Sequence, residues 1–302
     1  MTIDWRVWRA PRLDARPFWR RDDPLGHMIP TVVRTRSGHW LRVHYLPGPH
    51  GLPTPFGHNS ADPDFVLVHG IGVSSRYFVP LAEELSRTGD VYLIDLPGFA
   101  RLPRPRTPLT IAGFAAALDA IVGQLALDQP VLVGHSMGAQ VVTELLAGGE
   151  NIGHFVDEAG AVLIGPPVNH RERRLLPLVW RFLQSSRHEP SAIRRIAVAD
   201  YLSTGPEWFF SVLPHMMNYP IEERIRQVPC PVTILRGEYD AVAPQPWIDL
   251  LAANAGTSSA DPRAGGWSWA ATVRGAAHSV IYDHDDEVYR AVLHLAQHHA
   301  PG

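Results

Sequence analysis

One pentapeptide in this chain has residue types and spacing suited to covalent chemistry: Gly134-His135-Ser136-Met137-Gly138. The β-branched run Val131-Leu132-Val133 leads into it, and Val141, Val142, Leu145 and Leu146 follow at helical spacing. Strand, sharp turn and helix in that order form a G-x-S-x-G nucleophile elbow, which lifts a serine hydroxyl clear of a sheet. Glycine is needed on either side because a side chain there would collide with neighbouring backbone. A Gly-rich connection carrying an incidental serine has the same five letters, so the rest of the chain must decide.

Composition removes several alternatives. The chain has 302 residues, 45% of them hydrophobic and 19% charged, the profile of an ordinary globular protein with a substantial core. A net charge of −3 argues against a nucleic-acid partner. All 27 basic side chains other than histidine are arginine, so Schiff-base chemistry, pyridoxal-phosphate anchoring and a Walker-A loop are excluded. Cys230 is the single cysteine, which rules out an internal disulfide or a cysteine-based metal cluster and makes a reducing cytosol the simplest home. His294 and His298 stand one turn apart without an evident third ligand, so no metal and no cofactor are expected. Neither a signal peptide nor a membrane span is evident.

The elements that would position the serine follow in order. Residues 1–30 mix Trp5, Trp8 and Trp19 with arginine and read as an arm packing on the main body, a partner or membrane-surface contact being the alternative. Thr31 to Thr35 and His39 to Tyr45 predict an antiparallel hairpin, and 46–64 a proline-rich loop. Strands are expected at Phe65–Val68, Val91–Ile94, Val131–Val133, Ala161–Ile164, Pro231–Leu235 and Trp269–Val273. Helices fall between them, among them Tyr77–Leu85, an amphipathic segment from Ile111 to Leu125, Trp247–Ala253 and Glu287–Gln297. That alternation implies a mostly parallel sheet with helices on both faces. Residues 168–227 break it with about four helices and no strand. The aromatics there (Trp180, Phe182, Trp208, Phe209, Phe210) read more readily as helix packing than as pocket lining, and Arg171, Arg173 and Arg174 as a solvated face.

Further motifs sit at the ends of the expected strands. His69-Gly70-Ile71-Gly72 follows Val68, and Asp95-Leu96-Pro97-Gly98 follows Ile94. Gly237-Glu238-Tyr239-Asp240 and Gly275-Ala276-Ala277-His278 end the last two strands. With the elbow, and in this order, they resemble the alpha/beta-hydrolase superfamily, in its cap-bearing serine-hydrolase branch, over about residues 31–300. The resemblance implies an arm at 1–30, a core of 31–167 and 228–302, and a helical cap at 168–227. It implies Ser136 as nucleophile, His278 as base and Asp240 as the carboxylate orienting it, with Glu238 as the competing acid. It also implies an oxyanion hole of the Ile71 and Met137 amides, and makes Gly70, Gly72, His135, Trp180, Trp208 and Phe209 candidates for the pocket. Asp95 is expected to organise its turn. Gly98-Phe99-Ala100 departs from relatives that carry a second glycine, which affects loop geometry rather than chemistry.

A serine nucleophile counts against the dehalogenase and epoxide-hydrolase members of that superfamily, which use a carboxylate. What remains is acyl transfer on a small, largely apolar substrate, a carboxylesterase first. Carbon–carbon hydrolysis of ring-cleavage products and cofactor-free perhydrolysis are the alternatives. A small-molecule receptor on the same fold is the non-enzymatic one.

Overall fold

The computed structural model describes residues 25, 27–51, 62–127, 130–148, 160–169, 173–257 and 268–299. The first 24 residues, most of the segment read as an arm, lie outside them. Strands β1 (Ile29–Arg34) and β2 (Trp40–Leu46) form the expected hairpin, which starts two residues earlier than the alternation suggested. β3 (Asp64–Val68), β4 (Asp90–Asp95), β5 (Val131–His135), β6 (Gly160–Ile164), β7 (Val232–Gly237) and β8 (Trp269–Val273) follow. They make one eight-stranded sheet in the order β1-β2-β4-β3-β5-β6-β7-β8, antiparallel through β2–β4 and parallel from β4 to β8.

Strands β3 to β6 are buried along their whole length, which is why they read as unbroken apolar runs. Alternate side chains feed two cores. Val66 and Val68 join the side packed by α2 (Ile111–Leu125) and α3 (Met137–Leu146). Phe65 and Leu67 join the side packed by α1 (Val79–Leu85) and α10 (Asp285–His299). Each such side chain contributes roughly 1.5–3 kcal/mol on burial. Helix α2 shows how the local sequence sets an element. Thr110 caps its first turn through the Gly113 amide (3.1 Å), and Ile111, Phe114, Leu118, Ile121, Val122 and Leu125 form its buried face.

Between β6 and β7 run α4 (Leu175–Ser186), α5 (Ser191–Thr204), α6 (Pro206–Met217) and the short α7 (Ile221–Arg224). Several contacts hold this insertion on the loops at the C-terminal ends of the strands, among them the donation of Arg104 to the Thr204 carbonyl (2.6 Å). Asp200 accepts from the Ser74 amide (3.0 Å) and hydroxyl (2.5 Å). Glu189 accepts from the Ser279 amide (2.8 Å). Trp208 is buried edge-on to Phe99, with ring centroids 6.3 Å apart.

Two expectations for the insertion need correction. Trp208 packs as predicted, but Trp180, Phe182 and Phe210 are exposed, together with Leu176, Val179 and Leu183. Helical periodicity locates an apolar stripe but does not supply an element to cover it. Arg173 is not part of a solvated face, because it donates to both Glu222 oxygens (2.6 and 2.7 Å) and to the Tyr219 carbonyl. Arg174 is exposed, and Arg171 lies outside the described residues. The chain resumes with α8 (Gln245–Asn254) after β7 and α9 (Val280–Asp283) after β8. No helix among the described residues is long and apolar enough to cross a membrane.

Candidate active site

Ser136 follows β5 directly and stands at the entry to α3 with φ 54° and ψ −121°. That backbone region is sparsely populated for a residue with a side chain and costs about 1–3 kcal/mol. The neighbouring glycines make the turn possible. A Cβ on Gly134 would run into the Gly138 carbonyl, and one on Gly138 into the Val68 carbonyl at the end of β3. The Ser136 amide is anchored to the Ile164 carbonyl of β6 (2.9 Å).

Asp240 and His278 come from the loops after β7 and β8. Asp240 is fully buried, and its Oδ1 accepts from the amides of Val242 (2.9 Å) and Ala243 (3.2 Å). Its Oδ2 lies 2.9 Å from His278 Nδ1. Burial works against the Asp240 carboxylate, but the His278 charge and hydrogen bond and the two amides outweigh it and hold its pKa below the usual value. Burial likewise opposes protonation of His278, yet Asp240, aided by Glu189, raises its pKa above the ordinary histidine value. With Nδ1–H committed to the carboxylate, neutral His278 carries its lone pair on Nε2. Glu238, the competing acid, accepts instead from the Gly275 amide (2.9 Å) and so braces the turn that leads to His278.

The Gly70–Ile71 loop abuts the elbow: a Cβ on Gly70 would lie 3.0 Å from Ser136 Cβ. Among the described residues, neither the Ile71 nor the Met137 amide has an acceptor. His69 pins this loop. Burial lowers its pKa, its Nε2 accepts from the Leu96 amide (3.0 Å), and its Nδ1–H therefore donates to the Gly70 carbonyl (2.7 Å). Asp95 reaches further than its own turn. It accepts from the Ser75 amide (2.9 Å) and pairs with Arg42 (3.3 Å) and His44 (3.1 Å) of β2.

The pocket candidates divide. Gly72 (φ 76°) faces Phe209, where a Cβ would come within 2.9 Å of the ring. Trp208 covers Gly98. Trp180 is exposed on α4, and the nearer aromatic is Phe182, whose ring is edge-on to His278 at 6.5 Å. His135 is buried, with its ring 4.8 Å from that of His278, and it serves as a bracket. Burial first, and His278 second, push its pKa down to about 3. It is therefore neutral, donating from Nε2 to the His278 carbonyl (2.9 Å) and accepting at Nδ1 from the Tyr77 hydroxyl (2.8 Å). Tyr77 accepts in turn from the Gly70 amide (2.9 Å). One directed chain thus ties the Gly70–Ile71 loop to the His278 backbone. Tyr77 carries no motif and reads in the sequence as an apolar helix residue.

Matches to known proteins agree with this architecture. Among curated relatives, the chain is 40% identical over 83 residues to a pimeloyl-[acyl-carrier protein] methyl ester esterase of Shewanella oneidensis, covering 27% of this chain and 28% of that protein. It is 40% identical over 85 residues to a bifunctional biotin-biosynthesis protein of Cellvibrio japonicus, covering 28% of this chain and 16% of that one. In both, the match spans far less than two thirds of the relative. Among solved structures, an esterase from Exiguobacterium antarcticum superposes with TM-score 0.68 at 14% identity, over 89% of this chain and 100% of its own. An enol-lactonase from Burkholderia xenovorans superposes with TM-score 0.66 at 16% identity, over 88% and 100%. At those identities the likeness is one of fold. The model of the alpha/beta hydrolase family matches residues 65–291, well over half of the 302 residues, and the chain belongs to that family of hydrolases.

Proposed function

We propose that the chain is a serine hydrolase that cleaves an ester or related acyl bond of a small, largely apolar substrate through an acyl-serine intermediate. The observation that carries this reading is the buried His278–Asp240 pair at 2.9 Å, its imidazole beside the elbow that presents Ser136. His278 Nε2 takes the Ser136 proton as Oγ bonds to the carbonyl carbon, and Asp240 holds the imidazolium that forms. The developing oxyanion is met by the Ile71 and Met137 amides, which need no reorganisation to donate. Collapse expels the alcohol with the proton from His278. Water then repeats the sequence on the acyl-serine and releases the acid. Residues 168–227 act as the cap, with Trp208 and Phe209 bounding the acyl pocket near Gly98 and Gly72.

An ester reading is favoured by the relatives: the proteins matched in sequence and in fold include a methyl ester esterase and an enol-lactonase by name. The test is a substrate panel of aryl esters from short to long chain, thioesters, lactones and ring-fission dienones, run on wild type and Ser136→Ala. Ester or lactone turnover that disappears in Ser136→Ala is expected. Turnover of dienones alone would move the reaction to carbon–carbon hydrolysis, and turnover of nothing would favour a receptor.

A further inference from the structure

The least explained surface of the molecule is the outer face of α4 and α5. On α4, Leu176, Val179, Trp180 and Leu183 follow one another at three- and four-residue steps, and all are exposed, Leu176 at 81% and Trp180 at 60%. On α5, Arg194, Val198 and Leu202 repeat every fourth residue, and all are exposed. The helices meet at a cavity of about 300 Å³ lined by Trp180, Leu183, Gln184, Ser186, Arg187 and Arg194. Side chains at these spacings share a helix face, so α4 turns a continuous apolar stripe to solvent and α5 adds Val198 and Leu202 beside Arg194.

Charge on this face has one sign. From 174 to 204 the exposed charged residues are Arg174, Arg187, Arg194 and Arg195. The two carboxylates in the stretch are turned inward, Glu189 onto Ser279 and Asp200 onto Ser74. The chain as a whole is negative at −3, so the cationic face is a local arrangement and not an average property.

We propose that this α4–α5 face docks on a membrane surface that carries anionic lipid. Short helices with tryptophan, phenylalanine and leucine on one side and arginine around them lie in the headgroup region, their apolar face among the acyl chains. The 12 residues of α4 are too few to span a bilayer but enough to lie along one. Two other occupants fit less well. A second copy meeting the same face would oppose arginines with arginines. Residues 1–24 hold six arginines against four aspartates, so they too would bring like charge. Phe182, on α4 and edge-on to His278, places the docked face at the mouth of the candidate site. The proposal does not depend on the catalytic reading, because docking is measured without turnover.

The test is co-sedimentation of the full chain with vesicles of equal parts phosphatidylglycerol and phosphatidylcholine, and with vesicles of phosphatidylcholine alone. Wild type is expected to pellet with the anionic vesicles, weakly with the neutral ones, and less as salt is raised. Arg194→Gln and Arg195→Gln should each weaken binding about fivefold at low salt. Leu176→Asp and Leu202→Asp should abolish it while leaving the thermal melt unchanged, since both residues are exposed. Equal binding to both vesicle types, or no binding to either, would overturn the proposal. So would a dimer in sedimentation velocity that Leu176→Asp dissociates, which would assign the face to a second copy.

Discussion

Tyr77→Phe removes one oxygen atom and breaks the chain that joins the Gly70–Ile71 loop to His278. The hydroxyl is buried, accepts from the Gly70 amide at 2.9 Å and donates to His135 Nδ1 at 2.8 Å. The phenyl ring keeps its stacking on Phe78 (centroids 4.7 Å), so packing is preserved and the loss is polar. Two buried groups are left without partners at about 1–3 kcal/mol each, so the variant should lose roughly 2–6 kcal/mol. That is a large share of the 5–15 kcal/mol or so that holds an ordinary domain folded, so kinetics are compared at a temperature where circular dichroism shows the variant folded. Urea unfolding measures the stability, and steady-state hydrolysis of a soluble aryl ester measures the function. Because the hydroxyl touches no substrate, kcat should fall more than KM rises. A fall of about tenfold or more is expected if the Ile71 amide leaves its place, since misplacement by an ångström can cost about a hundredfold. A variant within about 0.5 kcal/mol of wild type, with kcat unchanged, would show that the Tyr77 hydroxyl bridges nothing that matters, because such a change is no more than an ordinary surface substitution produces.

Three further outcomes follow from the same geometry. Gly165→Ala would place a methyl 2.9 Å from His278 Cε1 and 3.0 Å from Asp240 Oδ2, at a backbone φ of 54°, so kcat should fall about a hundredfold with a stability loss near 1–2 kcal/mol. Retained activity in a stable variant would show that the pair tolerates displacement. In the proposed mechanism His278 must be neutral to accept a proton; burial lowers its pKa but Asp240 outweighs that and raises it, so activity should decline as pH falls through a value above the ordinary histidine one. Asp240→Asn removes that charge and should move the acid limb to lower pH while lowering the plateau by about 10⁴; an acid limb that stays put would deny Asp240 its role. Glu238→Gln should retain most activity, because its partner is the Gly275 amide and not the imidazole, and a loss equal to that of Asp240→Asn would reverse the choice of acid.

What the sequence revealed and what it concealed divide along physical lines. Strands β3 to β6, α2 and the elbow were legible because each is specified locally, by an apolar run, a helical period with a threonine cap, or glycines on either side of a serine. The hairpin and β8 were found on the same grounds. The strand ends that carry Ser136, Asp240 and His278 could be located because short motifs mark them, and a parallel sheet gathers its strand ends at one edge. The brackets around them were not legible. Tyr77 meets His135 across 58 residues, and Glu189 meets Ser279 across 90, and no periodicity encodes such pairs. A buried tyrosine in an amphipathic helix looks like core until its hydroxyl is seen to link two polar groups. Asp95 reads in the sequence as organising its own turn, yet three of its bonds go to β2 and Ser75. The insertion misled in the opposite sense. Its apolar period predicted packing, but an apolar stripe is defined by its own helix, whereas its burial depends on what lies opposite. Arg173, placed on a solvated face, found Glu222 49 residues away.

The most direct test of the account is the intact mass of the folded chain after exposure to a fluorophosphonate, which captures a serine only when a base has activated it. The prediction is a single adduct on wild type, none on Ser136→Ala, and labelling slowed by orders of magnitude in His278→Ala. An unlabelled wild-type protein, or an adduct that persists in Ser136→Ala, would contradict the claim that Ser136 and His278 act as nucleophile and base.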